Sequence, residues 1–108
     1  MKDARDGDLG RFAEPALLIL DSLADGPKHG YLLMVDIESR TGRVLGAGTL
    51  YAALARLEAR GHVRPLASTD RRRPYEITES GAGYLGAQLR ELASFSTAGL
   101  RRLEARAR

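Results

Sequence analysis

Residues 48–73 read GTLYAALARLEARGHVRPLASTDRRR, and the order of features along this stretch decides the fold. The run TLYAALARLEAR is free of proline and glycine. At about 100° per residue, Leu50, Leu54 and Leu57 fall on one face, Ala52, Ala55, Ala59 and Arg56 lie roughly opposite, and Thr49 sits near the start. Gly61 ends the helix, because glycine accepts the left-handed exit conformation. HVRPLAS and RRRPYEIT then flank SerThrAsp at 68–70 and predict two short strands joined by an arginine-rich tip. A two-stranded ribbon is marginal alone and has to pack on helices.

Upstream, Pro15 suits a first helical turn and Glu14 suits the positive end of the helix dipole. Leu17, Leu20 and Ala24, with Ile19 and Leu23, form the expected buried stripe of that helix. AspGlyPro at 25–27 stops it. A second helix is expected from about His29 to Arg40, with Tyr31, Leu33, Met34 and Ile37 at core spacing, Asp36, Glu38 and Arg40 outside, and His29 as a cap. Val44 and Leu45 read as a very short strand. Residues 1–11 show no apolar period and read as a flexible arm.

Downstream, Thr78 is a candidate N-cap for a helix running to the end of the sequence. Leu85, Leu89, Leu92, Ser96, Gly99 or Leu100, and Leu103 step by threes and fours over nearly three heptads. With no further domain expected to cover it, this stripe suggests a second copy of the chain, or else folding back on the first helix. Gly81, Gly83, Gly86 and Gly99 each lower helicity by roughly 1 kcal/mol in a helix interior, so this helix has to depend on docking.

Composition sets the outer bounds. One domain fits 108 residues. With no cysteine, disulfides, thiolate nucleophiles and cysteine zinc sites are excluded. The only histidines, His29 and His62, lie far apart in sequence, so no metal or cofactor is expected. Glycine-rich phosphate loops, nucleophile elbows and paired histidine motifs are missing, which argues against an enzyme. The longest apolar runs, ALLIL and YLLMV, are too short to span a bilayer, and a cytoplasmic location without membrane contact is expected. The net charge of +3 is modest, but it is unevenly placed. Between Arg40 and Arg73 eight arginines face two acids, a local +6, and the rest of the chain carries −3. That asymmetry is expected of a face that binds a polyanion.

These pieces resemble a known family. HGY at 29–31, GTLYAALARLEARGHV at 48–63 and RRRPYEITESG at 71–81 stand in the order and spacing of the PadR-like transcriptional regulators, and RFAEPALLILDSLADGP at 11–27 resembles the family's first helix and turn. Ala47 departs from the proline or serine common there, and His62 from a common apolar residue. The resemblance implies a mainly α fold with a small β-hairpin wing: a winged helix-turn-helix domain over 12–78, then a dimerisation helix over 79–108. It also implies a homodimer that binds double-stranded DNA and represses transcription, often with release by a small molecule.

On this reading Thr49, Ala52 and Arg56 face base edges, Tyr51 offers its hydroxyl to a phosphate, and Arg60, Arg71, Arg72 and Arg73 contact the DNA backbone or minor groove. Tyr51 as a half-buried packing residue is the equal alternative. Leu85, Leu89, Leu92, Leu100 and Leu103 are the expected dimer contacts. Phe12, Leu17, Leu89, Leu92 and Phe95 could line a pocket for an apolar inducer. A winged-helix adaptor that binds protein instead of DNA is the competing function, and weak or salt-insensitive DNA binding would mark it.

Overall fold

The computed structural model describes residues 14–69 and 71–108. Four helices and three short strands follow in the order α1 (Pro15–Leu23), β1 (Lys28–His29), α2 (Gly30–Thr41), α3 (Ala47–Ala59), β2 (Val63–Pro65), β3 (Pro74–Ile77) and α4 (Glu79–Ala107). Helices α1, α2 and α3 and the first part of α4 enclose one core, built from Leu17, Ile19, Leu20, Leu23, Leu33, Ile37, Leu50, Leu54, Leu57 and Val63 among others. The antiparallel sheet lies beside it in the order β1-β3-β2.

Local chemistry explains most element ends. Pro15 opens α1, and Gly26, at φ 147°, reverses the chain after it. His29 caps α2 by accepting the Leu32 amide at Nδ1, and Gly42, at φ 77°, closes that helix. Gly61, at φ 79°, turns the chain out of α3. Thr78 caps α4: its Oγ1 accepts the Gly81 amide at 3.0 Å and donates to the Gly61 carbonyl at 2.6 Å, tying the start of α4 to the end of α3. His62 stacks on Tyr84 with centroids 4.9 Å apart, reinforcing the same joint.

The joint between α1 and α2 is polar. The buried Ser22 hydroxyl donates to Asp36 at 2.6 Å. Asp25 pairs with Lys28 at 2.6 Å and with Arg40 at 2.5 Å. The Lys28 hydrogen bond, and then that from Arg40, hold the Asp25 carboxyl below the usual carboxylate range, while the Arg40 guanidinium is raised mainly by Asp25. Across the hairpin Arg64 pairs with Glu76, Nε to Oε2 at 2.5 Å.

Several expectations need correcting. Tyr31 is 63% exposed, because α2 turns Leu33 and Ile37 inward and leaves Tyr31 on its other side. Ala24 is exposed and caps α1, while Leu18 and Ser22 join the buried stripe. Val44 and Leu45 form no strand; Leu45 is buried in the core as part of an irregular connection. Strand β1 was not expected: its two residues are too few to show a period. The expected arm and Phe12 lie outside the described residues. Within those residues, no helix is long and apolar enough to cross a membrane.

Candidate nucleic-acid interface

Helix α3 buries Leu50, Ala53, Leu54 and Leu57. On helical geometry Gly48, Ala52, Ala55 and Ala59 lie within about 30° of the direction opposite this buried side, so the outward strip is as slim as side chains allow. Thr49 and Arg56 occupy one shoulder of that strip and Tyr51 the other, each turned roughly 70–90° from its midline. Thr49, Tyr51, Ala52, Arg56 and Arg60 are all exposed. The Arg60 amide donates back to the Arg56 carbonyl, and Arg60 stands at the C-terminal end of α3, outside the strip.

The wing approaches the Tyr51 shoulder, and β1 is the reason. His29 pairs with Pro74 and Lys28 with Tyr75, while on its other edge β3 pairs with β2 through Ile77–Val63, Glu76–Arg64 and Tyr75–Pro65. Strand β3 is therefore held on both sides, and the arginines just before it are brought beside the first turn of α2. Together His29, Gly30 and Tyr31, Tyr51 from α3, and Arg71, Arg72, Arg73 and Tyr75 from the wing line an open cleft of about 350 Å³. All three arginines are exposed. Three guanidinium groups and three phenol hydroxyls around one cleft supply hydrogen-bond donors suited to an oxyanion, and arginine's fork fits a phosphate.

The structure thus assembles Tyr51 with Arg71, Arg72 and Arg73 in one cleft and sets Thr49, Ala52 and Arg56 on the adjoining strip. His29, Tyr31 and Tyr75 join that cleft without having been predicted as site residues. The HGY motif was a legible signal for the first two; nothing local marked Tyr75.

The residues expected at the dimer contact divide into two groups. Leu85 is 6% exposed and belongs to the protomer's own core, and Leu92 packs against that core. Leu89, Leu100 and Leu103 stand exposed on α4, with Phe95 at 73% the most exposed large apolar side chain among the described residues. Beyond Leu92 every residue of α4 except Gly99 is exposed. Of the expected ligand pocket, Leu17 is buried within the core, while Leu89 and Phe95 are exposed.

A mainly helical chain with a small antiparallel wing, an arginine-lined cleft and a slim outward helix face matches a known group at the sequence level. The profile of the transcriptional regulator PadR-like family matches residues 19–87, well over half of the chain and the whole of α2, α3 and the wing. The chain belongs to the PadR-like family of transcriptional regulators. Membership places it among regulators and not among enzymes. A PadR family transcription regulator from Clostridium difficile superposes with a TM-score of 0.74 at 23% identity, covering 82% of this chain and 97% of that one. A transcriptional regulator from Clostridium thermocellum gives a TM-score of 0.75 at 25% identity, covering 94% and 97%. Among curated proteins, an uncharacterised 37.1 kDa protein in a transposon of Streptomyces fradiae is 44% identical over 86 residues. That match takes in 80% of this PadR-like chain and 25% of the relative, so the chain spans about a quarter of that relative's length.

Proposed function

We propose that this PadR-like regulator is a homodimeric, sequence-specific DNA-binding repressor. The observation that carries the reading is the outward strip of α3, with only glycine and alanine along its midline, Thr49 and Arg56 on one shoulder and Tyr51 and Glu58 on the other, beside a cleft that holds three arginines. Large side chains would keep the backbone away from base edges, whereas this strip lets the helix lie deep in a major groove. Arg56 and Thr49 then reach bases, while Tyr51, Arg60 and the wing arginines Arg71, Arg72 and Arg73 grip phosphate and the adjoining minor groove. Phosphate contacts set affinity and register, and base contacts select sequence.

The second copy is the partner of α4. Leu89, Leu100 and Leu103, with Phe95 alongside, expose apolar surface that two such helices cover mutually, above a floor made by Leu85 and Leu92. Two-fold pairing sets the α3 helices about 34 Å apart on one face of the duplex and calls for a pseudo-palindromic operator. Occupancy of a promoter represses it, and an apolar small molecule lodged among Leu89, Leu92 and Phe95 between the paired helices alters their spacing and releases the DNA.

Sedimentation of the purified protein, combined with genomic footprinting at several salt concentrations, tests this. The expected result is a dimer that protects two half-sites about one helical turn apart and whose affinity falls steeply with salt. A monomer, or binding to duplex DNA that ignores salt, refutes it and favours the protein-binding adaptor.

A further inference from the structure

Gly30 is an odd residue with which to begin a helix. It is not one of the glycines with positive φ, so its backbone is one that any residue adopts. It is buried, it stands at the first position of α2, and an alanine there would favour the helix. Conformational freedom therefore gives no reason for it. The reason lies across the helix crossing: a β-carbon placed on Gly30 would collide with the Tyr51 hydroxyl oxygen and would lie 2.6 Å from Cζ and 2.9 Å from Cε1 of the same ring. The missing side chain is the space in which the phenol rests.

We infer that Gly30 is a positioning residue for Tyr51: it is the seat that holds the phenol hydroxyl at the mouth of the arginine cleft. Tyr51 is 49% exposed, so it rests on α2 at Gly30 and still meets solvent where a ligand arrives. Lodged against the first turn of α2, the ring cannot swing toward the core, and its hydroxyl is set among the same groups as Arg73 and Tyr75. Preorganisation of this kind saves the cost of immobilising a side chain on binding. It also reconciles the two readings of Tyr51, since one ring both packs and presents a donor. The inference rests on the reading of the cleft as a phosphate site.

The atoms that a methyl group at position 30 would meet belong to the free end of a side chain, not to backbone. The fold can accept Gly30→Ala by turning the ring away, and what is lost is the place of the hydroxyl. The test uses the full chain, with Tyr51 identified in the ring-carbon NMR spectrum by its disappearance in Tyr51→Phe. In Gly30→Ala the Tyr51 Cζ resonance should move most, with smaller changes at Tyr31 and Tyr75, which share its cleft, and none at Tyr84. Binding to a labelled mixed-sequence duplex of about 30 base pairs at about 50 mM salt should weaken about a hundredfold, one hydrogen bond to a charged group in each of two protomers at about tenfold apiece. Tyr51→Phe should weaken it as much. Adding Gly30→Ala to Tyr51→Ala should weaken it no further.

An unmoved Tyr51 resonance overturns the inference. So does an equal loss of binding in the Tyr51→Ala background, which would mean that Gly30 makes room for the DNA itself. If Gly30→Ala does not fold, the double variant with Tyr51→Ala has no ring to displace and must fold; an unfolded double variant also overturns the seat. Failure of the wild-type chain to bind the duplex refutes the phosphate reading instead, and the resonance still decides whether Gly30 positions the ring.

Discussion

Replacing Arg73 by alanine isolates the wing's contribution to DNA binding. Arg73 directly precedes Pro74, whose strand is clamped between β1 and β2, so its backbone is fixed relative to α2 and α3 whatever the rest of the tip does. Its side chain is exposed, so its loss leaves the core intact. Each phosphate neutralised on B-form DNA adds about 0.9 to the slope of log affinity against log salt, so one arginine in each of two protomers accounts for about 1.8. Between 50 and 200 mM salt that difference amounts to about twelvefold: wild type should lose about twelve times more affinity than Arg73→Ala over the range. The defect of the variant is thus largest at low salt, and it should be equal on operator and on unrelated duplex because phosphate contacts carry no sequence information. Fluorescence anisotropy titrations at four or five salt concentrations measure it, with Arg73→Lys expected to keep most of the slope. A slope change near 0.9 would mean that one wing per complex is engaged. An unchanged slope would refute the placement of Arg73 at a phosphate.

Three further predictions concern stability and assembly. Gly81→Ala drives a methyl into the backbone of His62, whose carbonyl carbon lies 3.0 Å from the new atom, and should cost about 1–3 kcal/mol in denaturant unfolding; Gly83→Ala, two residues on with nothing nearby, should be neutral or stabilising by up to about 1 kcal/mol. Equal effects of the two would sink the argument for close packing at the start of α4. Leu103→Asp, at a position 58% exposed in the protomer, should lower the dimer fraction seen by sedimentation without unfolding α1–α3, and an undiminished dimer would remove the C-terminal part of α4 from the interface. Because its partners Lys28 and Arg40 depress the Asp25 carboxyl, that residue adds stability that is present above the ordinary carboxylate value, about 3.9, and is lost as pH falls through the lower folded value. The unfolding difference between wild type and Asp25→Asn should therefore be seen at neutral pH and vanish in acid, and a difference that persists at low pH would contradict the pairing.

What the sequence determined by itself is local in its physics. The apolar period of LYAALARL at 50–57 faces Leu50, Leu54 and Leu57 inward and so forces Ala52 and Ala55 outward, whatever covers the core. Pro15, Gly61 and Thr78 act on backbone groups within a few residues of themselves, which is why the ends of α1, α3 and α4 are legible in the sequence. The wing follows from two short β-prone runs around a polar turn. A period states which side of an element is apolar but not which neighbour covers it, and there the tertiary structure decided. Leu85 and Leu92 carry the same heptad signal as Leu89 and Leu103, yet the first pair lies against the protomer's own core because α4 docks there before it leaves the domain. Strand β1 has no signature of its own; it exists because β3 offers it an edge, and through it the arginines of a distant turn stand beside Tyr31 and Tyr51. The contact between Gly30 and Tyr51 joins two residues whose distance only the crossing of α2 and α3 sets, and neither alone shows what the other is for.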